Sequence, residues 1–210
     1  MANFLHIDDL PDGLAFGSAI AVDTETTGLH PKRDRLCLVQ LSAGDGDAHL
    51  VQFPRKKNGL QPDYSAPRLR KLLSDKKVEK IFHFGRFDIM VLLRDLELEA
   101  SPVFCTKIAS KLVRTYTDRH GLRDICSELL GVSISKEQQS SDWGSLKLSD
   151  AQIGYAASDV LHLHALRSKL QEMLLREGRM DLAEASFKYL PTRAALDLSG
   201  WENVDIFAHS

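Results

Sequence analysis

Residues 19–29 read AIAVDTETTGL. Ile20 and Val22 alternate with small residues, the period of a half-buried strand, and the run ends in the polar segment TETTG. Asp23 and Glu25 stand two apart at the end of that strand, so both carboxylates leave the same face and lie close together. Two like charges so placed repel one another unless a cation lies between them. Hard oxygen donors of this kind suit Mg2+ or Mn2+ rather than zinc. A D-x-E pair at a strand end also describes an ordinary solvated turn, so its meaning depends on what the rest of the chain brings to it.

Working outward, residues 36–42 and 49–53 read as two further strands, and the AGDGD between them reads as a hairpin turn. An antiparallel trio is expected to open the domain. Pro67 starts a short amphipathic helix, RLRKLLSD, and residues 78–84 (VEKIFHF) form a strand that Gly85 breaks. RFDIMVLLRDL then reads as helix. After an apolar VFC, a helix over Thr106 to Leu112 and another over LRDICSELL, stopped by Gly131, are expected. Residues 133–145 are mostly polar and read as a surface loop. One long helix is expected from about Ser149, capped by Ser149 or Asp150, with apolar positions at Ala156, Val160, Leu163, Leu166, Leu170 and Leu174, ending at Gly178. Strands first and then mostly helices give an α/β domain with a mixed central sheet.

Two later segments add acids. In HFGRFD, residues 83–88, Asp88 falls about one turn into the helix and is flanked by Phe87, Ile89 and Met90. An acid in so apolar a setting is either hydrogen-bonded or holding something positive. In YAASD, residues 155–159, the spacing of four places Tyr155 and Asp159 on one helical face, and the alanines allow close approach to a neighbouring backbone. His162 and His164 stand two apart on a helix, so they point to different faces and are not read as ligands.

At 210 residues, 43% hydrophobic and 27% charged, the chain can bury one sizeable core, and residues 1–210 are expected to form a single domain without an accessory RNA-binding domain. The first residues, MANFLHIDDLPDGL, carry acids where a signal peptide needs positive charge, and no stretch approaches membrane-spanning length. A soluble, cytoplasmic protein is expected. Cys37, Cys105 and Cys126 show no C-x-x-C spacing, which fits reduced thiols better than a disulfide framework or a zinc site. A net charge of −2 argues against a polycation that coats nucleic acid, but Lys107, Lys111, Arg114, Arg119 and Arg123 cluster with Tyr116 and His120. That cluster is either a solvated face or a phosphate-contacting surface.

Taken together, Asp-x-Glu, then Asp, then Tyr-x-x-x-Asp resemble the three exonuclease motifs of the DEDD superfamily in its tyrosine-bearing DEDDy branch. DTETTGL, FHFGRFD, SSDWGSLKLS and YAASDVLHLH resemble ribonuclease D segments. RDRLCLVQLS, FCTKIASKL, RTYTDRHGL and the tail GWENVDIFAHS are similar to the nanoRNase C group of that family. Two departures from ribonuclease D stand out: Cys105-Thr106 occupies a position where Asp-Thr is common, and the helical RNA-binding domains that usually follow are not in this sequence.

The resemblance implies a ribonuclease H-like 3′–5′ exonuclease fold. Asp23, Glu25, Asp88 and Asp159 would hold two divalent ions, Mg2+ or Mn2+, roughly 3.5 to 4 Å apart around the scissile phosphate. Tyr155 would position the attacking water and help remove its proton. Thr26 is placed among the substrate contacts, and Leu29 lies where relatives insert an apolar wedge between the last two bases. His83 would touch the phosphate or a sugar hydroxyl, and Arg114, Tyr116, Arg119 and His120 would grip the substrate's 5′ phosphate. The implied activity is hydrolysis of short RNA, chiefly dinucleotides, to nucleoside 5′-monophosphates, by a homo-octameric ring. Trp201, Ile206 and Phe207 would pack either on a neighbouring subunit or on the chain's own core. A general 3′–5′ exonuclease on longer RNA or DNA shares the same acids. A catalytically inactive nucleic-acid-binding scaffold would be marked by a missing acid, and none is missing.

Overall fold

The computed structural model describes residues 2–56, 61–135 and 137–209. A mixed sheet contains β1 (Asn3–Ile7), β2 (Ala19–Thr26), β3 (Leu36–Ser42), β4 (Ala48–Gln52), β5 (Glu79–Phe82) and β6 (Val103–Cys105), in the spatial order β1-β4-β3-β2-β5-β6. The expected antiparallel trio is present: β3 pairs antiparallel with both β2 and β4. Gly44 and Gly46 turn that hairpin at φ 83° and 97°, values open to glycine without a Cβ clash. β5 and β6 extend the sheet parallel to β2, so the ends of β2 and β5 emerge at the same edge. β3 is buried along its whole length, which means both faces of the sheet centre are covered.

The helices are α1 (Pro67–Ser74), α2 (Arg86–Asp95), α3 (Thr106–Val113), α4 (Leu122–Leu130), α5 (Asp150–Leu161), α6 (Leu163–Arg176) and α7 (Met180–Leu196), with a wider π-type turn over Asp197–Trp201. Ser149 starts α5 through a full capping box with Gln152: each side chain satisfies the other's backbone N–H. Gly131 ends α4 in the left-handed conformation, as its position implied.

Two readings need correction, and two elements went unread. The single long helix is two, broken at His162. The apolar positions Ala156, Val160, Leu163, Leu166, Leu170 and Leu174 are all buried across the break, so their periodicity runs on unbroken. What changes is the partner: α5 packs on β2, β3 and β4, whereas α6 packs chiefly on α3 and α4. His164 on α6 reaches back to the Ser42 carbonyl (3.0 Å), a structural bond. β1 was not read from the sequence, because this edge strand leaves Phe4, Leu5 and Ile7 exposed and shows no clean alternation. α7 was not read either; Pro191 sits inside it, a residue that normally argues against helix. Finally, the described residues 133–135 and 137–145 are irregular but not wholly superficial, since Ile134 and Trp143 are buried.

The tail does not fold into its own core. Arg193 donates to the carbonyls of Trp201, Glu202 and Val204, and Arg86 donates to Glu202 O while pairing with Asp197 at 2.6 Å. The held segment leaves Trp201, Ile206 and Phe207 exposed. All three cysteines are buried and free. Among the described residues no helix is long and apolar enough to cross a membrane.

Candidate active site

The end of β2 delivers Asp23 and Glu25 beneath α5, whose last turn carries Asp159. One carboxylate oxygen from each of Asp23, Glu25 and Asp159 lies within 4.8 Å of the others. Asp88 arrives from the first turn of α2, where the helix dipole favours negative charge. It is buried and accepts a hydrogen bond from Thr24 Oγ1 at 2.7 Å. Thr24 stands between the two acids of β2, so one strand end holds two carboxylates directly and orients a third.

The electrostatics of the cluster follow from burial first and repulsion second. Asp23 is pushed well above the usual carboxylate range by burial, then by Asp88, Asp159 and Glu25. Glu25 is raised to about 9 by burial, then by Asp159 and Asp88. Burial raises Asp88 to about 7, with the Thr24 hydroxyl opposing the rise, and raises Asp159 to about 7, with Tyr155 opposing it. Carboxyls whose ionisation is opposed in this way form a donor set that lacks positive charge. The donors are all oxygen, and a divalent cation of the Mg2+ or Mn2+ type fits that chemistry.

Tyr155 is half-buried, with its ring 6.0 Å from that of Trp143. Burial, and then the Asp159, Glu25 and Asp23 charges, push its hydroxyl further above the ordinary phenol value. It therefore stands at neutral pH as a phenol that donates and orients. Trp143 and Thr24 are site neighbours that sequence reading did not single out. Thr24 was accessible in principle, since strand alternation turns it away from its two acidic neighbours and toward the next layer. Trp143 lay in a stretch whose polarity hid it.

The remaining expected site residues are distributed as follows. Thr26 is buried and its hydroxyl donates to the Gly28 carbonyl. Leu29 is 79% exposed on the loop after β2. His83 Nδ1 lies 2.9 Å from Thr106 Oγ1, which itself donates to the Phe82 carbonyl at 3.1 Å. The threonine proton is thus committed, which makes Nδ1 the donor and leaves Nε2 an acceptor. Burial, then the nearby Lys107 charge, pushes His83 down to about 3, so the ring is neutral.

The four residues expected to grip a 5′ phosphate are cross-braced with one another and with α4. The Arg114 side chain is fully buried, pairs with Glu128, and donates to Ser110 Oγ at 3.0 Å and the Arg119 carbonyl at 2.7 Å. His120 Nδ1 meets Ser110 Oγ at 2.9 Å, and the Tyr116 hydroxyl donates to Glu128 at 2.6 Å. Arg119 pairs with Asp124 at 2.7 Å. Arg114 is buried among these partners, while Tyr116 and Arg119 keep exposed side chains.

A mixed sheet whose central strand ends in D-x-E, joined by one acid from the following helix and by a Y-x-x-x-D helix laid across the strands, defines a ribonuclease H-like 3′–5′ exonuclease. The 3′–5′ exonuclease family matches residues 7–175, and the chain belongs to that family, in the nanoRNase C group of its ribonuclease D-like, DEDDy branch. Ribonuclease D of Gluconacetobacter diazotrophicus is 36% identical over 162 residues, covering 77% of this chain and 39% of that protein. DNA polymerase I of Aquifex aeolicus is 39% identical over 174 residues, covering 83% of this chain and 26% of that one. The chain therefore spans well under half the length of these curated relatives. Among solved structures, Brucella melitensis NrnC with bound Mg2+ is 56% identical with a TM-score of 0.91, and NrnC bound to pGG is 57% identical with a TM-score of 0.93; both are covered over 100% of each chain. Escherichia coli RNase D is 26% identical, with a TM-score of 0.72 over 84% of this chain and 45% of that one.

Proposed function

We propose that this protein is a metal-dependent 3′–5′ exoribonuclease that hydrolyses short RNA oligonucleotides, chiefly dinucleotides, to nucleoside 5′-monophosphates. The observation that carries this reading is the convergence of Asp23, Glu25 and Asp159 within 4.8 Å, with Asp88 and Tyr155 beside them. The four acids would hold two divalent ions, Mg2+ or Mn2+. When bound, such ions lower the pKa of a water and stabilise a leaving 3′ oxygen.

The chain's own groups do the rest. Tyr155, a phenol on the same helical face as Asp159, orients the attacking water by hydrogen bonding. Thr24 fixes the Asp88 carboxylate. His83 Nε2, an acceptor on a neutral ring, matches a sugar hydroxyl, and exposed Leu29 is free to enter between bases. The preference for short RNA is supported by likeness over the full chain to NrnC, which has been solved bound to pGG. A homo-oligomer, a ring-shaped octamer in the cytoplasm, fits the same group, and the exposed Trp201, Ile206 and Phe207 suit a subunit contact. Likeness to a DNA polymerase I favours a second reading, a broader exonuclease that also accepts DNA.

The test is to incubate the protein and Mg2+ with 5′-labelled RNAs of two to about twenty nucleotides and with matched DNAs. Rates that peak at two nucleotides support the dinucleotide reading. Trimming that is indifferent to length points to the general exonuclease, and binding without cleavage points to a scaffold.

A further inference from the structure

β5 leads into α2 through residues 83–85, and its end lies beside the acid-bearing end of β2 because the two strands run parallel. Phe84 is unusual in this connection in two respects. It is a non-glycine residue at φ 64°, a left-handed conformation that large side chains avoid, and its side chain is 45% exposed. The turn accounts for the backbone. The Phe84 carbonyl accepts from Phe87 N–H at 3.2 Å, and a Cβ on Gly85 would lie 2.8 Å from Phe82 Cβ, so the chain is tightly constrained here. None of this calls for an aromatic ring at 84: glycine or asparagine would take the same φ with less strain.

What the ring contributes is a flat, partly exposed apolar face on the connection that leads to Asp88, four residues further on. It is held from one side by a cation, the Lys107 Nζ, 4.2 Å from its centroid. Lys107 belongs to the first turn of α3, directly after Thr106, the residue that fixes His83. A partly exposed ring is therefore mounted on the segment that also delivers a neutral imidazole and an active-site carboxylate, with an ammonium from α3 set against it.

We propose that Phe84 is a base-stacking platform for the substrate, with Lys107 bracing the ring and placing positive charge beside the adjoining phosphate. The proposal rests on the exonuclease reading above. Every nucleobase presents a π face, so stacking holds a terminal nucleotide whatever its identity, as an enzyme that degrades all sequences requires. Leu29, exposed at the end of neighbouring β2, can separate two bases but offers no aromatic face to either. Phe84, at the end of β5, supplies that face, and the Lys107 charge strengthens its hold on an anionic ligand.

The experiment uses the full chain with Phe84→Leu, which keeps apolar bulk without a ring, and Phe84→Tyr, which keeps the ring. The probe is a 5′-phosphorylated dinucleotide carrying 2-aminopurine at either position, bound in Ca2+, together with steady-state kinetics in Mg2+. Wild type and Phe84→Tyr should quench the 2-aminopurine. Phe84→Leu should lose that quenching, bind on the order of tenfold more weakly, and raise KM far more than it lowers kcat. Lys107→Gln should reduce the slope of log affinity against log salt by about one unit. Wild-type cleavage with unchanged quenching and KM in Phe84→Leu would overturn the platform and leave the exonuclease reading intact. An altered sedimentation size with unchanged quenching would overturn it in favour of a subunit contact. A wild-type protein that cleaves no RNA would sink the exonuclease reading, and this one with it.

Discussion

Replacing Asp159 with Asn should stabilise the metal-free protein at pH 8, opposite in sign to most substitutions at a packed site. Its carboxylate oxygen lies within 4.8 Å of those of Asp23 and Glu25. At that separation two full charges repel by about 3.5 kcal/mol in an effective dielectric of about 20. Burial first, and repulsion second, make the folded protein retain protons, with Asp88 and Asp159 raised to about 7 and Glu25 to about 9. The sign follows directly: each folded-state pKa exceeds its unfolded value, so stability is fully present below about pH 4 and is lost as pH rises through about 7 to 9. Asparagine removes one charge and its part of that loss. In urea titrations with EDTA, wild type and variant should converge toward about pH 4, and the variant should be more stable by about 1 to 3 kcal/mol at pH 8. Saturating Mg2+ should reverse the order. An ion at one hundred times its Kd adds about 2.7 kcal/mol to wild type, and the variant, lacking a ligand, should gain much less. A variant less stable than wild type in EDTA at pH 8, or one that gains as much from Mg2+, would refute the reasoning that these acids form a mutually repelling cation site.

Tyr155→Phe should keep the Mg2+-dependent rise in melting temperature while single-turnover hydrolysis slows by about 10²- to 10⁴-fold; a rate within a few-fold of wild type would remove Tyr155 from the chemistry. Thr24→Val keeps the shape of the side chain but strips a 2.7 Å bond from buried Asp88, and should cost about 1 to 3 kcal/mol in urea denaturation. The same variant should weaken Mg2+ binding about 10- to 100-fold, read from metal titration of the melting transition. Arg114→Met should lower stability by about 1 to 3 kcal/mol with little change in KM, because its partner Glu128 is half-exposed; a raised KM at unchanged stability would return Arg114 to the substrate.

The fold was legible where period and punctuation agreed. β2, β3 and β4 alternate or run apolar between clear turn signals, and α5 carries its own capping box. It was illegible where tertiary context overrode local pattern. The apolar spacing from Ala156 to Leu174 continues smoothly through His162, because both helices bury the same kind of residue against different partners. The surroundings of the basic cluster were illegible for a related reason. Sequence gives the sign of a charge but not its partner, and here Glu128 and Asp124 from the next helix take Arg114 and Arg119.

The acids were more legible than their surroundings because each is fixed by short-range geometry, a strand end or a helical spacing, while the chemistry that joins them is generic. What the linear chain could not show is how β2 serves two layers at once. Alternation sends Asp23 and Glu25 toward α5, where Asp159 and Tyr155 wait, and turns Thr24 toward α2, where its hydroxyl holds Asp88. The parallel pairing of β2 with β5 completes this arrangement, since it brings the start of α2 to the same edge as the strand end. Three consecutive residues thereby supply two carboxylates, orient a third from α2 and meet a fourth from α5. A conservative change at Thr24, which carries no charge and is no ligand, should for that reason perturb metal affinity as a change in the site would, whereas an equally buried threonine in mid-sheet should alter stability alone.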